Sequence, residues 1–228
     1  MTTRRDNPPA SVTGPLAAEL CQTGRQLIEK RLVAGTWGNI SVRVARQLML
    51  VTPSGRPYET LTEQDLCAVS LADGQQVSGR RTPSSESALH RAIYCARPEV
   101  RAIIHTHSLY ASACAVARKP IPPVIEDLIQ LVGGEVAVAA YALPGTEALA
   151  TATVAALGDK QAVLLANHGA VACGESLSEA LMIAEVLEKA AQIYLLAEQL
   201  GGACQLGTDD VQIMRSFYLE RYRQRQKG

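Results

Sequence analysis

The sequence predicts one α/β domain, and three observations carry that reading. Short apolar runs, such as Val100 with Ala102 to Ile104 and Ala162 to Ala166, read as buried strands. Longer stretches, such as Leu16 to Val33 and Leu177 to Leu200, carry apolar residues at helical spacing, and the two kinds alternate along the chain. The 228 residues, 47% of them hydrophobic, are enough to bury one sizeable core, and nothing marks a second domain.

Residues 1–15 (MTTRRDNPPASVTGP) hold arginines but no apolar run of the signal-peptide kind, so they are expected to form a disordered arm before a domain spanning residues 16–228. Leu16, Leu20, Leu27, Ile28 and Leu32 then line one face of an amphipathic helix. It gives way to the loop Gly35-Thr36-Trp37-Gly38-Asn39 and a strand from Ile40 to Val44. The strand Leu48 to Val51 runs into Thr52-Pro53-Ser54-Gly55, a natural β-turn. Thr62 starts a short capped turn, Cys67 to Leu71 reads as a strand, and Asp73-Gly74 turns the chain into a polar stretch. Ser84 or Ser85 suits the N-cap of a helix with Leu89, Ile93 and Ala96 on its apolar stripe and Pro98 as its stop. Both glycine loops and this serine-led helix start offer bare backbone N–H groups, as an anion pocket requires.

Leu109 to Ala117 reads as a small-residue helix, followed by a proline-rich turn at 120–123 and a strand from Val136 to Ala140. A helix starts near Pro144 with Thr146 at its cap, and the strands Ala162 to Ala166 and Ala170 to Cys173 flank the corner Asn167-His168-Gly169. Leu177 to Leu200 is a long helix whose wide apolar face marks core or subunit contact. From about Asp209 a last helix ends in a basic run, Arg221 to Lys227, that complements its dipole and reads as a solvated tail.

Chemistry concentrates at Ala102 to Ser108. His105 and His107 stand two apart on a strand, hence on one face and about 7 Å apart along the chain, close enough to share a metal ion. The usual three-ligand catalytic site needs a third histidine, and His168 follows a second strand-like run. Glu86, in the first turn of its helix, and His90, one turn on, can face the same way. His90 is expected to pack or hydrogen-bond near the site rather than ligate.

Composition narrows the partners. Lysine plus arginine equals aspartate plus glutamate at 22 each, so no basic field argues for nucleic acid or an acidic membrane. No run approaches the ~20 apolar residues of a membrane span. Six cysteines without a CxxC pair read as free, mostly buried thiols of a reducing, cytoplasmic setting. A small-molecule partner is expected.

Together, GTWGNIS, TPSG, PSSES, HTHS and NHG, in this order and at these separations, resemble the class II aldolase/adducin family of the fuculose-phosphate aldolase and ribulose-phosphate epimerase type, over about residues 16–200. The resemblance implies a three-layer α/β/α sandwich around a mixed, largely antiparallel sheet, and a zinc-dependent homotetramer with active sites between subunits. It implies zinc (Zn2+) on His105, His107 and His168, with Glu86 as an acid/base that also reaches the metal. Three loops would hold a sugar phosphate through Thr36, Gly38 and Asn39, then Ser54 and Gly55, then Ser84 and Ser85. Imidazole and carboxylate ligands also admit another divalent metal.

The implied reaction is cleavage of a fuculose-1-phosphate-like ketose phosphate to dihydroxyacetone phosphate and an aldehyde. After its Ile-Pro dipeptide the family places a neighbouring subunit's tyrosine that helps protonate the leaving aldehyde; here Glu126 stands there. The family's C-terminal tyrosine is answered by Tyr222 or Tyr218. Decarboxylases, dehydratases and epimerases of sugar phosphates share the metal site and are the alternatives, with a non-catalytic adducin-like scaffold as a remote one.

Overall fold

The computed structural model describes residues 13–222, and of Arg221 and Tyr222 only the backbone. The arm's residues 1–12 and the basic tail beyond Tyr222 lie outside the described residues. Pro15, suited by its fixed φ to a first helical position, opens α1 (Pro15–Glu29). Eight strands follow: β1 (Asn39–Ala45), β2 (Leu48–Val51), β3 (Cys67–Ser70), β4 (Gln76–Ser78), β5 (Ala102–Thr106), β6 (Val138–Ala139), β7 (Ala162–Leu165) and β8 (Gly169–Gly174). The other helices are α2 (Ser87–Ala96), α3 (Leu109–Val116), α4 (Glu126–Val132), α5 (Glu147–Leu157), α6 (Leu177–Gln199) and α7 (Thr208–Phe217), which ends in a π-turn over Tyr218–Tyr222.

The strands form one sheet in the order β4-β3-β2-β1-β5-β8-β7-β6. Every neighbouring pair is antiparallel except β6–β7, so the sheet is mixed and largely antiparallel. Alternation sends Ile40, Val42, Ile104 and Leu164 to one face, against α1, α3, α4 and α6. Met49, Val51, Ile103 and Val163 go to the other, against α2 and α5. This is the three-layer sandwich the resemblance implies. The six cysteines are free, four of them buried, and no described helix is long and apolar enough to cross a membrane.

Several boundaries differ from the sequence reading for identifiable reasons. Helix α1 stops at Glu29, not Val33, because Arg31 takes a left-handed φ of 57°; Leu32 and Val33 still bury, which is why the apolar period ran on. Helix α2 starts at Ser87 with Glu86 at its cap position, so neither Ser84 nor Ser85 is the N-cap; Ser84 instead accepts the Ser87 N–H on its carbonyl at 3.0 Å. Strand β4 was hidden in the polar stretch because it is an exposed edge strand. Strand β6 keeps only Val138–Ala139, Val136 pairing instead with Ile121 in an isolated bridge.

The register gathers the chemistry at one end of the sheet. Asn39, opening β1, lies opposite His105 near the end of β5, and Thr106 lies opposite Ala170 at the start of β8. Strand β2 runs towards the same end and delivers the loop after Val51. Glycine makes the closest approach possible: a Cβ on Gly169 would stand 2.2 Å from the Thr106 carbonyl oxygen. Gly169→Ala is therefore expected to destabilise the fold by roughly 2–4 kcal/mol, read as a lower urea midpoint at unchanged slope. An unchanged midpoint would mean that β5 and β8 do not approach as described.

Candidate metal centre and active site

Four side chains converge at that end of the sheet. His105 is the penultimate residue of β5, His107 follows it by two residues, His168 stands in the corner between β7 and β8, and Glu86 is at the cap position of α2. Asn167 holds the corner with a positive φ of 55°, which asparagine tolerates better than most residues. One ligand atom from each of the four lies within 4.8 Å of all the others. The Nε2 of His105 is 2.9 Å from that of His107, 3.3 Å from that of His168 and 3.2 Å from Glu86 Oε2, and His168 Nε2 is 3.4 Å from Glu86 Oε1.

The donor set fits a metal ion. A tetrahedral site with bonds of about 2.0–2.1 Å has neighbouring ligand atoms about 3.3 Å apart, near the separations found here. The Nδ1–H of His105 donates to the Ala170 carbonyl at 2.9 Å, which fixes the ring and turns Nε2 into the cluster. Glu86 Oε1 is buried without a hydrogen-bond donor. Lone pairs and a carboxylate facing one another call for a cation between them.

Electrostatics agree with ligand readiness. Burial and the neighbouring histidines His105 and His168 hold His107 down at about 4, and burial with His105 lowers His168, so both imidazoles are neutral near pH 7. Burial alone would raise Glu86, but His105, His168 and Asn39 outweigh it and hold the carboxyl at about 2. His90 is not in the cluster: wholly buried one turn along α2, its Nδ1 meets Ser41 Oγ at 2.7 Å, and burial lowers it to about 3.

Beside the cluster lies a pocket of about 360 Å³. Its lining includes all seven residues expected to hold phosphate, Thr36, Gly38, Asn39, Ser54, Gly55, Ser84 and Ser85, together with Glu86, His107 and His168. Gly38, at φ 79°, has its Cα where a Cβ would fall 2.6 Å from the His105 carbonyl oxygen, so this loop can lie against β5 only with glycine. The other two loops are stitched together: Ser54 N–H donates to the Thr82 carbonyl and Ser84 N–H to that of Thr52, both at 3.0 Å. Those two amides are therefore used within the protein. Asn39 does more than was expected of it, since its Nδ2 donates to Glu86 Oε2 at 2.9 Å and fixes the carboxylate.

Three lining residues were not singled out in the sequence: Trp37, Pro53 and Pro144. Trp37, the sole tryptophan, is 66% exposed and stacks on His107 with ring centroids 5.9 Å apart. Its place between Thr36 and Gly38 was the available signal. Glu126 is not brought to this pocket by its own chain; it lies exposed in the first turn of α4. Tyr218 is packed in the core, where Arg215 lies over its ring. It is therefore not the C-terminal tyrosine of this pocket, and the side chain of Tyr222 lies outside the described residues.

Residues 18–195 match the family described as class II aldolase and adducin N-terminal domain. The chain belongs to that family. Among curated class II aldolase relatives, the L-fuculose phosphate aldolase of Escherichia coli O6:H1 is 36% identical over 180 residues, 79% of this chain and 82% of the relative. The 5-deoxy-D-ribulose 1-phosphate aldolase of Bacillus thuringiensis serovar kurstaki is 36% identical over 195 residues, 85% of this chain and 91% of the relative. A solved L-fuculose 1-phosphate aldolase superposes with a TM-score of 0.87 at 37% identity, covering 92% of this chain and 99% of that one. The family also reaches another reaction, since the 3-oxo-tetronate 4-phosphate decarboxylase of E. coli K12 is 32% identical over 199 residues, 83% of this chain and 91% of the relative. The chain is thus an enzyme of the class II aldolase family, and it carries a His/Glu cluster that could hold a metal ion.

Metal analysis checks the ligand assignment. Wild type is expected to hold one divalent ion per chain, His105→Ala to lose it, and His90→Gln to keep it; retention by the His105 variant would contradict the cluster.

Proposed function

We propose that this chain is a metal-dependent lyase that cleaves a fuculose-1-phosphate-like ketose phosphate to dihydroxyacetone phosphate and an aldehyde. One observation carries the reading: Glu86 belongs to the metal cluster and to the wall of the adjoining pocket at once. Phosphate held by the three loops would bring the carbons next to it up to this carboxylate. The relatives named above as aldolases for phosphorylated fuculose and deoxyribulose support the same substrate class.

In the cleavage direction a proton leaves the C4 hydroxyl and the C3–C4 bond breaks. The electron pair stays on the C2–C3 enediolate, which then takes a proton at C3. His105, His107, His168 and Glu86 would hold a divalent ion, zinc on the ligand types and the family resemblance, and it would supply Lewis acidity toward the substrate oxygens. Glu86, ionised at rest, takes up a proton from water in the pocket and passes it to C3, the reverse of its removing the C3 proton in condensation, and Asn39 orients it by binding Oε2 while Oε1 stays open. Burial, with Glu86 only 6% exposed, keeps bulk water from that carbon.

The C4 proton needs another group. We assign it to Glu126 of a neighbouring copy, with Tyr222 as a helper, in a cytoplasmic homotetramer whose sites lie between subunits. Leu109, two residues from His107, and Leu143, beside the lining Pro144, are 70% and 64% exposed, which suits a second copy near the pocket. The decarboxylase relative favours a second reading, loss of carbon dioxide from a phosphorylated keto acid at the same metal; dehydration and epimerisation of sugar phosphates use the same elements.

Products separate these readings. A coupled assay on a panel of ketose 1-phosphates is expected to show dihydroxyacetone phosphate from wild type. Chelation should abolish the signal, and Glu86→Gln should lower kcat at least ~100-fold. Metal-loaded wild type that releases none across the panel, but liberates carbon dioxide from a phosphorylated keto acid, would replace the aldolase by the decarboxylase.

A further inference from the structure

The phosphate pocket has a charge that its own lining does not supply. No lysine or arginine lines it among the described residues, yet a phosphate monoester carries about −1.5 to −2 at pH 7. The cations adjoining its loops are Arg56, directly after Gly55, and Arg81, just before Thr82. Both turn onto one carboxylate.

That carboxylate is Asp65, 7% exposed. Its Oδ1 accepts from Arg81 Nε at 2.9 Å, and its Oδ2 lies 3.4 Å from Arg56 Nε. The same Oδ2 accepts from the Thr62 backbone N–H at 3.1 Å and the Thr62 hydroxyl at 2.8 Å, so Asp65 is itself held in place. Arg56 is tied again through Nη2 to the Thr60 carbonyl at 3.1 Å, and the Arg81 carbonyl accepts from Gln76 Nε2 at 2.8 Å. The two loops these arginines flank are the ones joined through Ser54 with Thr82 and Ser84 with Thr52. Isolated surface ion pairs contribute little. Here one buried carboxylate faces both loops at once, hydrogen-bonded to Arg81 and ion-paired with Arg56.

We propose that Asp65 is a positioning residue of the phosphate pocket: through Arg56 and Arg81 it clamps the Ser54-Gly55 loop to the Ser84-Ser85 loop, and the triad leaves one net positive charge behind the donors that meet a phosphate monoester. The proposal rests on the phosphate reading above. It adds that the pocket's geometry depends on a residue outside its lining and outside the metal cluster. A change there affects phosphate affinity and leaves the metal in place.

Calorimetric titration of the metal-loaded protein with inorganic phosphate tests it. Asp65→Asn and Arg81→Ala are each expected to weaken phosphate binding about ten-fold, and the double variant by no more than about two-fold beyond the weaker single, because both remove one shared clamp. Metal content should match wild type, and on a ketose 1-phosphate that wild type cleaves, KM should rise far more than kcat falls. Arg81 is half exposed, so its variant decides the matter if the Asp65 variant does not fold. Wild-type affinity in either folded variant would overturn the clamp. Tighter binding by Asp65→Asn, which raises the local charge by one, would do so as well, by showing that charge alone matters. If wild type binds no phosphate, the phosphate reading falls first and the clamp with it.

Discussion

Convergence of four buried or half-buried ligand atoms is the constraint on which the rest of the structure depends. Three imidazole nitrogens and a carboxylate oxygen lie within 4.8 Å of one another, a crowding of polar groups that costs desolvation. They are held by strand pairing and helix packing that take their stability elsewhere, from the two apolar layers on either side of the sheet. The close β5–β8 approach at Gly169, the β1–β5 register at Asn39 and the position of Glu86 at the head of α2 all serve that convergence.

Metal cluster and phosphate pocket divide the work by chemical type. Buried His105, half-buried His107 and His168 and an ionised carboxylate form the metal side; burial and neighbouring His105 lower His107 and His168, and the histidines with Asn39 lower Glu86 against the effect of its burial. Along the pocket stand hydroxyls, glycine loops and a helix start, with Arg56 and Arg81 paired to Asp65 behind two of the loops, the charge proposed to face phosphate. Glu86 and Asn39 join the two sides. Asn39, expected to touch phosphate, also fixes the Glu86 carboxylate.

Much of this was legible in the sequence because it is local. Strand histidines two apart, apolar runs before His105 and His168, and glycines between short elements each carry a signal within a few residues. What could not be read depends on pieces far apart in the chain. Helix α2 starts late because Ser84 and Ser85 belong to a loop bound to Thr52 and Pro53, some thirty residues earlier. Trp37 takes its meaning from His107, and Asp65 from Arg56 and Arg81, none of which spacing reveals. Tyr218 had the right type for the site but lies against the core, a distinction that only packing makes.

The central claim, that Glu86 moves a proton at C3, across the ketone from the phosphorylated carbon of the substrate, can be tested without knowing the aldehyde. Metal-loaded protein would be incubated with dihydroxyacetone phosphate in heavy water and the hydroxymethyl protons followed by NMR. The account predicts stereospecific exchange of one of the two protons by wild type and none by Glu86→Gln. Equal exchange by both proteins, or none by a wild type that binds metal and phosphate, would contradict it.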